Sequence, residues 1–539
     1  MENQNSIYYL PSFEPLPDPD YRWNDLTGPE FSNAINDAYN QLVHWKPNLF
    51  RVPSGSNGKK FVSELARLFQ AFADASALET VALKAAMTLP ALVLQKPHAK
   101  SKVREHISCL KRRLSLWREG NITELLREGK AIQRPLKSHR PSKDVNNDAS
   151  KARKFSKLMM EGKVRAALRL LSTENQSGPL RLDDNVDESG KSFRDVLEEK
   201  HPDPRPIHPD VILDTSTVDN NYHPILFDKI TPEMIRNSAL HTEGSAGTSG
   251  MDALCWRRLC TSFGEKSNEL CSAIAAFARR ICTTYIDPSG LTAYTSCRLI
   301  PLDKCPGVRP VGIGEVVRRI VGKAVMKVVR SDLQNAIGTS QLCAGQDAGC
   351  EAAIHAMERI FAEESTEGMI LVDATNAFNT LNRQVTPLNC DNICPAMSCI
   401  LINTYHDNSQ LFVDGQCVMS KEGTIQGDPL AMAMYAIGTQ LLLRKLDGIT
   451  KQVWYADDSA AGSTLQQLRR WWDMLNEIGP HYGYFPNGTK THVLVKKEHV
   501  DTANEIFQDT AMTISVDGER YLGEALGTVP FIQKHVQRK

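Results

Sequence analysis

The residues Gln452-Val453-Trp454-Tyr455-Ala456-Asp457-Asp458-Ser459, followed by Ala460, Ala461 and Gly462, leave the backbone little choice. A short run rich in strand formers meets two adjacent carboxylates and then a run of small residues. That order predicts a β-hairpin whose turn lifts Asp457 and Asp458 clear of the sheet. Like charges side by side are costly to bury, so the pair calls for counter-charge. Carboxylates are hard oxygen donors, and a divalent cation such as Mg²⁺ suits them. Many paired aspartates are plain solvated turns, so the pair needs a second observation.

Glu367-Gly368-Met369-Ile370-Leu371-Val372-Asp373 supplies one: an apolar strand ending in a carboxylate, followed by Ala374-Thr375-Asn376-Ala377-Phe378. Two strands that deliver aspartates to one edge can build a two-metal site. In such a site, ions about 4 Å apart clamp the attacking and leaving oxygens of a phosphoryl transfer. Asp373 with Ala377-Phe378, then Gly423-Thr424-Ile425-Gln426-Gly427-Asp428-Pro429-Leu430, then Tyr455-Ala456-Asp457-Asp458 stand in a telling order and spacing. Together they resemble three successive palm motifs of reverse transcriptases from retroelements of the non-LTR-like kind.

The resemblance implies an α+β right-hand polymerase fold. A palm of antiparallel sheet with helices would be accompanied by fingers and preceded by a mainly helical N-terminal region. It implies an RNA-directed DNA polymerase, a nucleotidyltransferase working on an RNA template with a DNA primer and dNTPs. Two Mg²⁺ (or Mn²⁺) ions would be held by Asp373, Asp457, Asp458 and the backbone carbonyl of Ala374. Gln426, Gly427 and Tyr455 would meet the incoming nucleotide and template. Phe378 falls where the family places a bulky residue against the sugar, which would exclude a ribose 2′-hydroxyl. Lys490 matches a lysine of the family's fourth palm motif, a general acid for the leaving pyrophosphate; an ordinary exposed lysine is the plainer reading. Tyr521-Leu522-Gly523 resembles the primer-grip hairpin. Ser245-Ala246-Gly247-Thr248-Ser249-Gly250-Met251-Asp252 is similar to a segment that braces the template ahead of the fingers.

Charge is silent overall, since Lys+Arg and Asp+Glu both total 63, but it is unevenly spread. From Lys100 to Leu170 there are 20 basic residues against 7 acidic ones. Predicted helices at Val103–Trp117 and Ile122–Gln133 carry them. Lys111, Arg112 and Arg113 are therefore candidates for nucleic-acid phosphates or a nuclear signal, with a solvated helix face as the alternative. Pro306-Gly307 between two extended runs predicts a second hairpin with Lys304 and Arg309 near its tip. By resemblance, these two grip the triphosphate. Arg318 and Arg319, on the helix that comes next, are candidates for template phosphate.

Residues 1–33 read as irregular, and 34–134 as a helical, basic N-terminal region. A linker, in part disordered, is expected over 135–220, with Gly178–Pro206 acidic and poor in apolar side chains. Fingers are expected over 221–366 and palm over 367–530. Residues 531–539 read as a tail that begins a truncated thumb. Gly244–Gly250 reads as a flexible loop, and Asp517-Gly518 as a hairpin turn between two strands. Thirteen cysteines without regular spacing, and no signal peptide, suit a reducing nucleus or cytoplasm and not secretion. Cys390, Cys394 and Cys399 lack a fourth ligand at zinc spacing. The longest apolar run is too short to span a bilayer, so no membrane is expected.

Only 16 residues come after Gly523, where the family normally carries a helical thumb over the primer–template duplex. Two readings result. The first is an active reverse transcriptase, with a protein partner as one source of the thumb. The second is an inactive or domesticated retroelement remnant that binds nucleic acid without polymerising. The intact acids favour the first and the short C-terminal end favours the second.

Overall fold

Continuous runs of apolar and small side chains fix the central sheet. The computed structural model describes residues 28–138, 148–160, 164, 190–212, 224–303 and 308–538. Its five-stranded sheet has the order β6-β7-β3-β8-β9, where β3 is Gly368–Val372, β6 Lys451–Tyr455, β7 Asp458–Ser463, β8 His492–Val495 and β9 Thr513–Ser515. Every pair is antiparallel except β8 with β9. All five residues of β3 are buried, as befits a central strand covered on both faces.

The two faces sort by residue parity. Met369, Leu371, Val453, Ala460 and Leu494 pack under the helix Gly349–Ala362 with Ala353 and Met357. Ile370, Val372, Trp454, Ala461, Val493 and Val495 join the larger core, with Leu465, Leu468 and Leu475 of the helix Leu465–Ile478. The small residues of β7 permit a close approach: a Cβ on Gly462 would stand 2.5 Å from the Ile360 side chain.

The hairpin expected around residues 296–313 is present. β1 (Cys297–Asp303) and β2 (Val308–Gly314) pair antiparallel along their whole length. With β4 (Ser409–Val413) and β5 (Gln416–Ser420) they form a second sheet, order β2-β1-β4-β5, in which β1 and β4 are parallel. The molecule is thus α+β, with mixed sheets and a helical N-terminal part. Among the described residues no helix is long and apolar enough to cross a membrane.

Several expectations are corrected. The first helix, Pro29–Leu42, begins inside the stretch read as irregular; a proline at its first position starts it. The stretch 178–206, read as disordered or as loosely packed loops, is described from residue 190. It contains the helix Phe193–Glu199, opened by a capping box in which Ser192 accepts from the Asp195 amide. The loop 244–250 is pinned, not free. Buried Glu315 accepts from the Ser249 amide at 2.7 Å and from the hydroxyls of Ser249 and Thr248, and Arg298 donates to the Ala246 carbonyl at 3.1 Å.

Asp517-Gly518 does not turn a hairpin, because β9 pairs with β8. β10 (Gly518–Tyr521) instead pairs with β11 (Glu524–Gly527) around Leu522-Gly523, both at positive φ. The expected tail is a helix, Val529–Arg538, with Phe531 against Gly518.

The N-terminal helices do not stand apart. Phe61, Leu65, Leu68, Phe69 and Phe72 form a fully buried stripe on the helix Ser56–Ala73. That stripe meets the helix Glu265–Thr283, where Phe277 touches Phe72 at 5.2 Å, Tyr294 at 5.3 Å and Phe69 at 5.6 Å between ring centroids. Each such ring, fully buried, contributes roughly 2–3 kcal/mol. One core therefore runs through the expected boundary between the basic region and the helices beyond the linker.

Candidate active site

Ladder register brings the carboxylates together. Tyr455 pairs with Asp458 across the β6–β7 hairpin, leaving Ala456-Asp457 as its two-residue turn. Ala456 has φ +54°, a left-handed conformation costly for a residue with a Cβ. Val372 pairs with Ser459 as the last rung of the β3–β7 ladder, so Asp373, one residue on, comes beside Asp458. Burial pushes the Asp458 carboxyl up to about 7, and the charges of Asp457 and Asp373 add to the rise. The three acids therefore share one edge of the sheet.

Two side chains that no sequence motif singles out clamp this turn. Gln341, fully buried, accepts from the Ala456 amide at 2.9 Å while its segment bridges to Trp454. The Tyr484 hydroxyl donates to the Asp457 carbonyl at 3.0 Å and lies 2.8 Å from the Ser459 hydroxyl. Burial lifts the Tyr484 phenol well above its usual range, and the charges of Asp457, Asp458 and Asp373 lift it further. No spacing rule connects residues 341 and 484 to a hairpin at 456; only the fold does.

On the other side, the Asn487 amide donates to the Asp373 carbonyl at 2.9 Å and the Thr375 amide to the Phe485 carbonyl at 2.8 Å. This bridge pairs Ala374 with Pro486, so the peptide groups of Ala374 itself face away from residues 485–487. Lys490 Nζ stands 3.5 Å from Asp373 Oδ2, in an ion pair with both side chains partly in water. Among the described residues no group of three His, Cys, Asp or Glu side chains stands arranged to hold a metal ion. Three carboxylates on one edge remain the donor chemistry of a hard divalent cation.

The remaining expected site residues divide. Phe378 packs on buried Tyr435 with centroids 4.9 Å apart; the Tyr435 phenol, raised chiefly by burial, also feels Asp457 and Asp458. The Gln426 carbonyl accepts from the Gly312 amide at 3.2 Å, and Gly427 takes φ +103°, so that loop is joined to β2. Tyr455 is half-buried against the Gly349–Ala362 helix. Tyr521 is buried in one cluster with Leu371, Val453 and Ala460, so the β10–β11 hairpin, turning at Leu522 and Gly523, packs on the strands that carry the acids; burial and the charge of Asp458 raise its phenol. Arg309 is exposed on β2, and Lys304 lies outside the described residues.

Two arginine assignments are corrected. Arg318 is buried in an ion pair with equally buried Asp428, between the rings of Tyr294 and Tyr405, so it is closed to a template phosphate. Arg319 turns back to the carbonyls of Glu243 (2.6 Å) and Ser245. In the basic helix, Arg113 is also interior, donating to Glu128 and to the carbonyls of Val93 and Gln95. Arg112 is exposed but paired with Glu128 at 2.6 Å, and Lys111 is exposed.

Fold and site thus define an α+β protein with an acidic cluster on the edge of its central mixed sheet, clamped from behind by buried polar groups. No protein-family model matches the chain, and no curated protein matches it.

Proposed function

We propose that this protein is an RNA-directed DNA polymerase, whose central sheet is a polymerase palm and whose β1–β2 hairpin belongs to the fingers. The observation that carries the reading is the β3–β7 register, whose last pair, Val372 with Ser459, brings Asp373 next to Asp458, with Asp457 at the adjoining turn. Asp373, Asp457, Asp458 and the Ala374 carbonyl would hold two Mg²⁺ ions, which supply the positive charge that favours phosphoryl transfer from a dNTP. The chain's own residues orient and neutralise. Gln341 and Tyr484 fix the turn, so the carboxylates are set before substrate arrives. Lys490, already beside Asp373, is placed to give a proton to the departing pyrophosphate. Phe378, braced by Tyr435, would crowd a 2′-hydroxyl and so select deoxynucleotides.

The second reading, a remnant that binds nucleic acid without polymerising, draws on that same ion pair: Lys490 already supplies counter-charge to Asp373. A primer-extension assay with dNTPs and Mg²⁺ or Mn²⁺ on an RNA template separates the two. Extension is expected from the wild-type chain and none from Asp457→Asn protein with an unchanged circular-dichroism spectrum. Extension by Asp457→Asn at the wild-type rate would refute the assignment.

A further inference from the structure

Away from the acidic site, two thiols stand against each other where the helix Ala253–Thr261 turns into the helix Glu265–Thr283. The turn bends at Gly264, φ +61°. Beyond it, side chains one helical turn apart on the second helix reach consecutive carbonyls of the first. Ser267 Oγ donates to the Leu259 carbonyl at 2.7 Å and accepts from the Phe263 amide at 3.0 Å. Cys271 Sγ donates to the Cys260 carbonyl at 3.7 Å. These rungs set the register of the helix pair, and the Cys260 and Cys271 thiols meet in a hydrogen bond of their own. Two cysteines already in such contact need side-chain rotation more than backbone movement to be bridged.

Their surroundings are unequal. The hydrogen bond with Cys271 and burial raise the Cys260 thiol well above its usual range. The Cys271 thiol is held below its usual range, chiefly by the hydrogen bond from Cys260 and further by the charge of Arg236, against the opposing effect of burial. Arg236 also donates to the Cys260 carbonyl at 3.4 Å. A sulfur favoured as thiolate by a partner thiol and a guanidinium is the reactive kind, whereas burial in apolar surroundings makes a cysteine inert. Cys282 and Cys390 are of that second kind, both raised by burial. Both sulfurs of the pair are buried, but the cover over Cys271 is thin. Asn268, one turn earlier on the same helix face, is exposed. Arg236, which donates to Asn268 and to Glu233, keeps 25 % of its side chain in water.

We propose that Cys260 and Cys271 are a redox modification site, closed by hydrogen peroxide into a disulfide that staples the helix Ala253–Thr261 to the helix Glu265–Thr283. The peroxide enters when the Arg236 side chain, tied at its tip to the surface groups Glu233 and Asn268, swings outward. The Cys271 sulfur attacks one peroxide oxygen, the O–O bond breaks, and the departing hydroxide becomes water with the proton that Cys271 gave up. The Cys260 sulfur then attacks the sulfenic acid so formed. The S–S bond forms as the S–O bond breaks, and hydroxide leaves as a second water with the Cys260 proton. Two thiols are oxidised by two electrons and one peroxide is reduced to two waters. Thiol reductants reverse the bond by exchange, which makes it the transient, sensing kind of disulfide found in reducing compartments.

The test treats the folded full-length chain with hydrogen peroxide near neutral pH, quenches it, alkylates it in urea, digests it without reductant and maps the peptides by mass spectrometry. A peptide pair joined through Cys260 and Cys271, lighter by two hydrogens and split by dithiothreitol, is expected. It should appear before exposed Cys417 is oxidised, since the Cys417 thiol lies above its usual range. In Cys260→Ser protein the link cannot form, and a dimedone adduct on Cys271 is expected in its place. Cys417 oxidised while Cys260 and Cys271 stay reduced overturns the proposal. So does a link that forms faster when peroxide is added in urea than in the folded chain, or a Cys271 that dimedone does not label in Cys260→Ser. Should that variant not fold, the wild-type map and its urea control decide the matter. No step of the test reads nucleotide transfer, so the polymerase reading and this one fail separately.

Discussion

Arg113 shows how far a local charge count can mislead at the level of one side chain. Its guanidinium is 1 % exposed and satisfied by Glu128 and two carbonyls, so it closes the helix pair instead of reaching for phosphate. Burial pushes the Glu128 carboxyl up, but hydrogen bonds from Arg113 and Arg112 pull it below its ordinary value. A depressed carboxyl stabilises the fold above its unfolded pKa and loses that contribution as pH falls. Glu128→Gln is expected to cost about 2 kcal/mol at pH 7, short of a fully buried pair because Glu128 keeps 25 % of its side chain in water. Below pH 4.5 the gap to wild type should narrow; urea denaturation at both pH values checks it. Gln341→Ala strips the Ala456 amide of its acceptor and should cost about 1–3 kcal/mol. If the clamp sets the acids, single-turnover extension should fall at least roughly ten-fold while the protein stays folded. A variant with full extension rate would reduce Gln341 to packing.

Among elements, the segment 190–212 departs most from its reading. It overlaps the stretch 178–206, read as acidic and poor in apolar residues, yet Leu197 and Val211 are buried and its backbone is held at several points. Asn376 donates to the Lys200 carbonyl, Asn389 to that of Val211, and Lys445 to that of Asp210. Arg205 stacks on Phe485, 4.0 Å from the ring centroid, and its amide donates to Glu422 at 2.8 Å. The Arg205 amide is therefore expected to exchange slowly in hydrogen-exchange mass spectrometry. Glu422→Ala, which orphans the Arg205 and Arg383 amides together, should speed exchange across 200–212. Fast exchange there in the wild-type chain would return the segment to a linker. By contrast, β3, the β6–β7 hairpin and the β1–β2 hairpin are legible directly, because each is an apolar run closed by its own turn chemistry. The β9–β10 region is not: Asp-Gly permits a turn, but β8 offers β9 a ladder that local sequence does not contain.

For the molecule as a whole, the shared core matters most. Helices at 56–93 and 253–295 read as parts of separate domains, since a polar stretch lies between them in sequence. In space, Phe277 is fully buried and touches Phe69, Phe72 and Tyr294. Phe277→Ala is expected to cost about 3–5 kcal/mol. Hydrogen exchange should then rise in Ser56–Ala73 and Glu265–Thr283 together. A rise confined to the second helix would mean two cores and vindicate the boundary.

The sequence by itself determined β3, the β6–β7 and β1–β2 hairpins and the identity of the three acids, because hydrophobic period and turn chemistry act over a few residues. It also placed Lys490 among the candidates without naming its partner. Tertiary structure alone decided which cations are committed. Arg318 and Arg113 look like Arg51 and Arg257 in one dimension, yet the first two meet carboxylates of their own and the last two line a cavity whose single acid caps a helix. It likewise chose Gln341 and Tyr484 as the clamps of the turn. Charge compensation and buried hydrogen bonds depend on distances between residues far apart along the chain, and those distances exist only after the fold has formed.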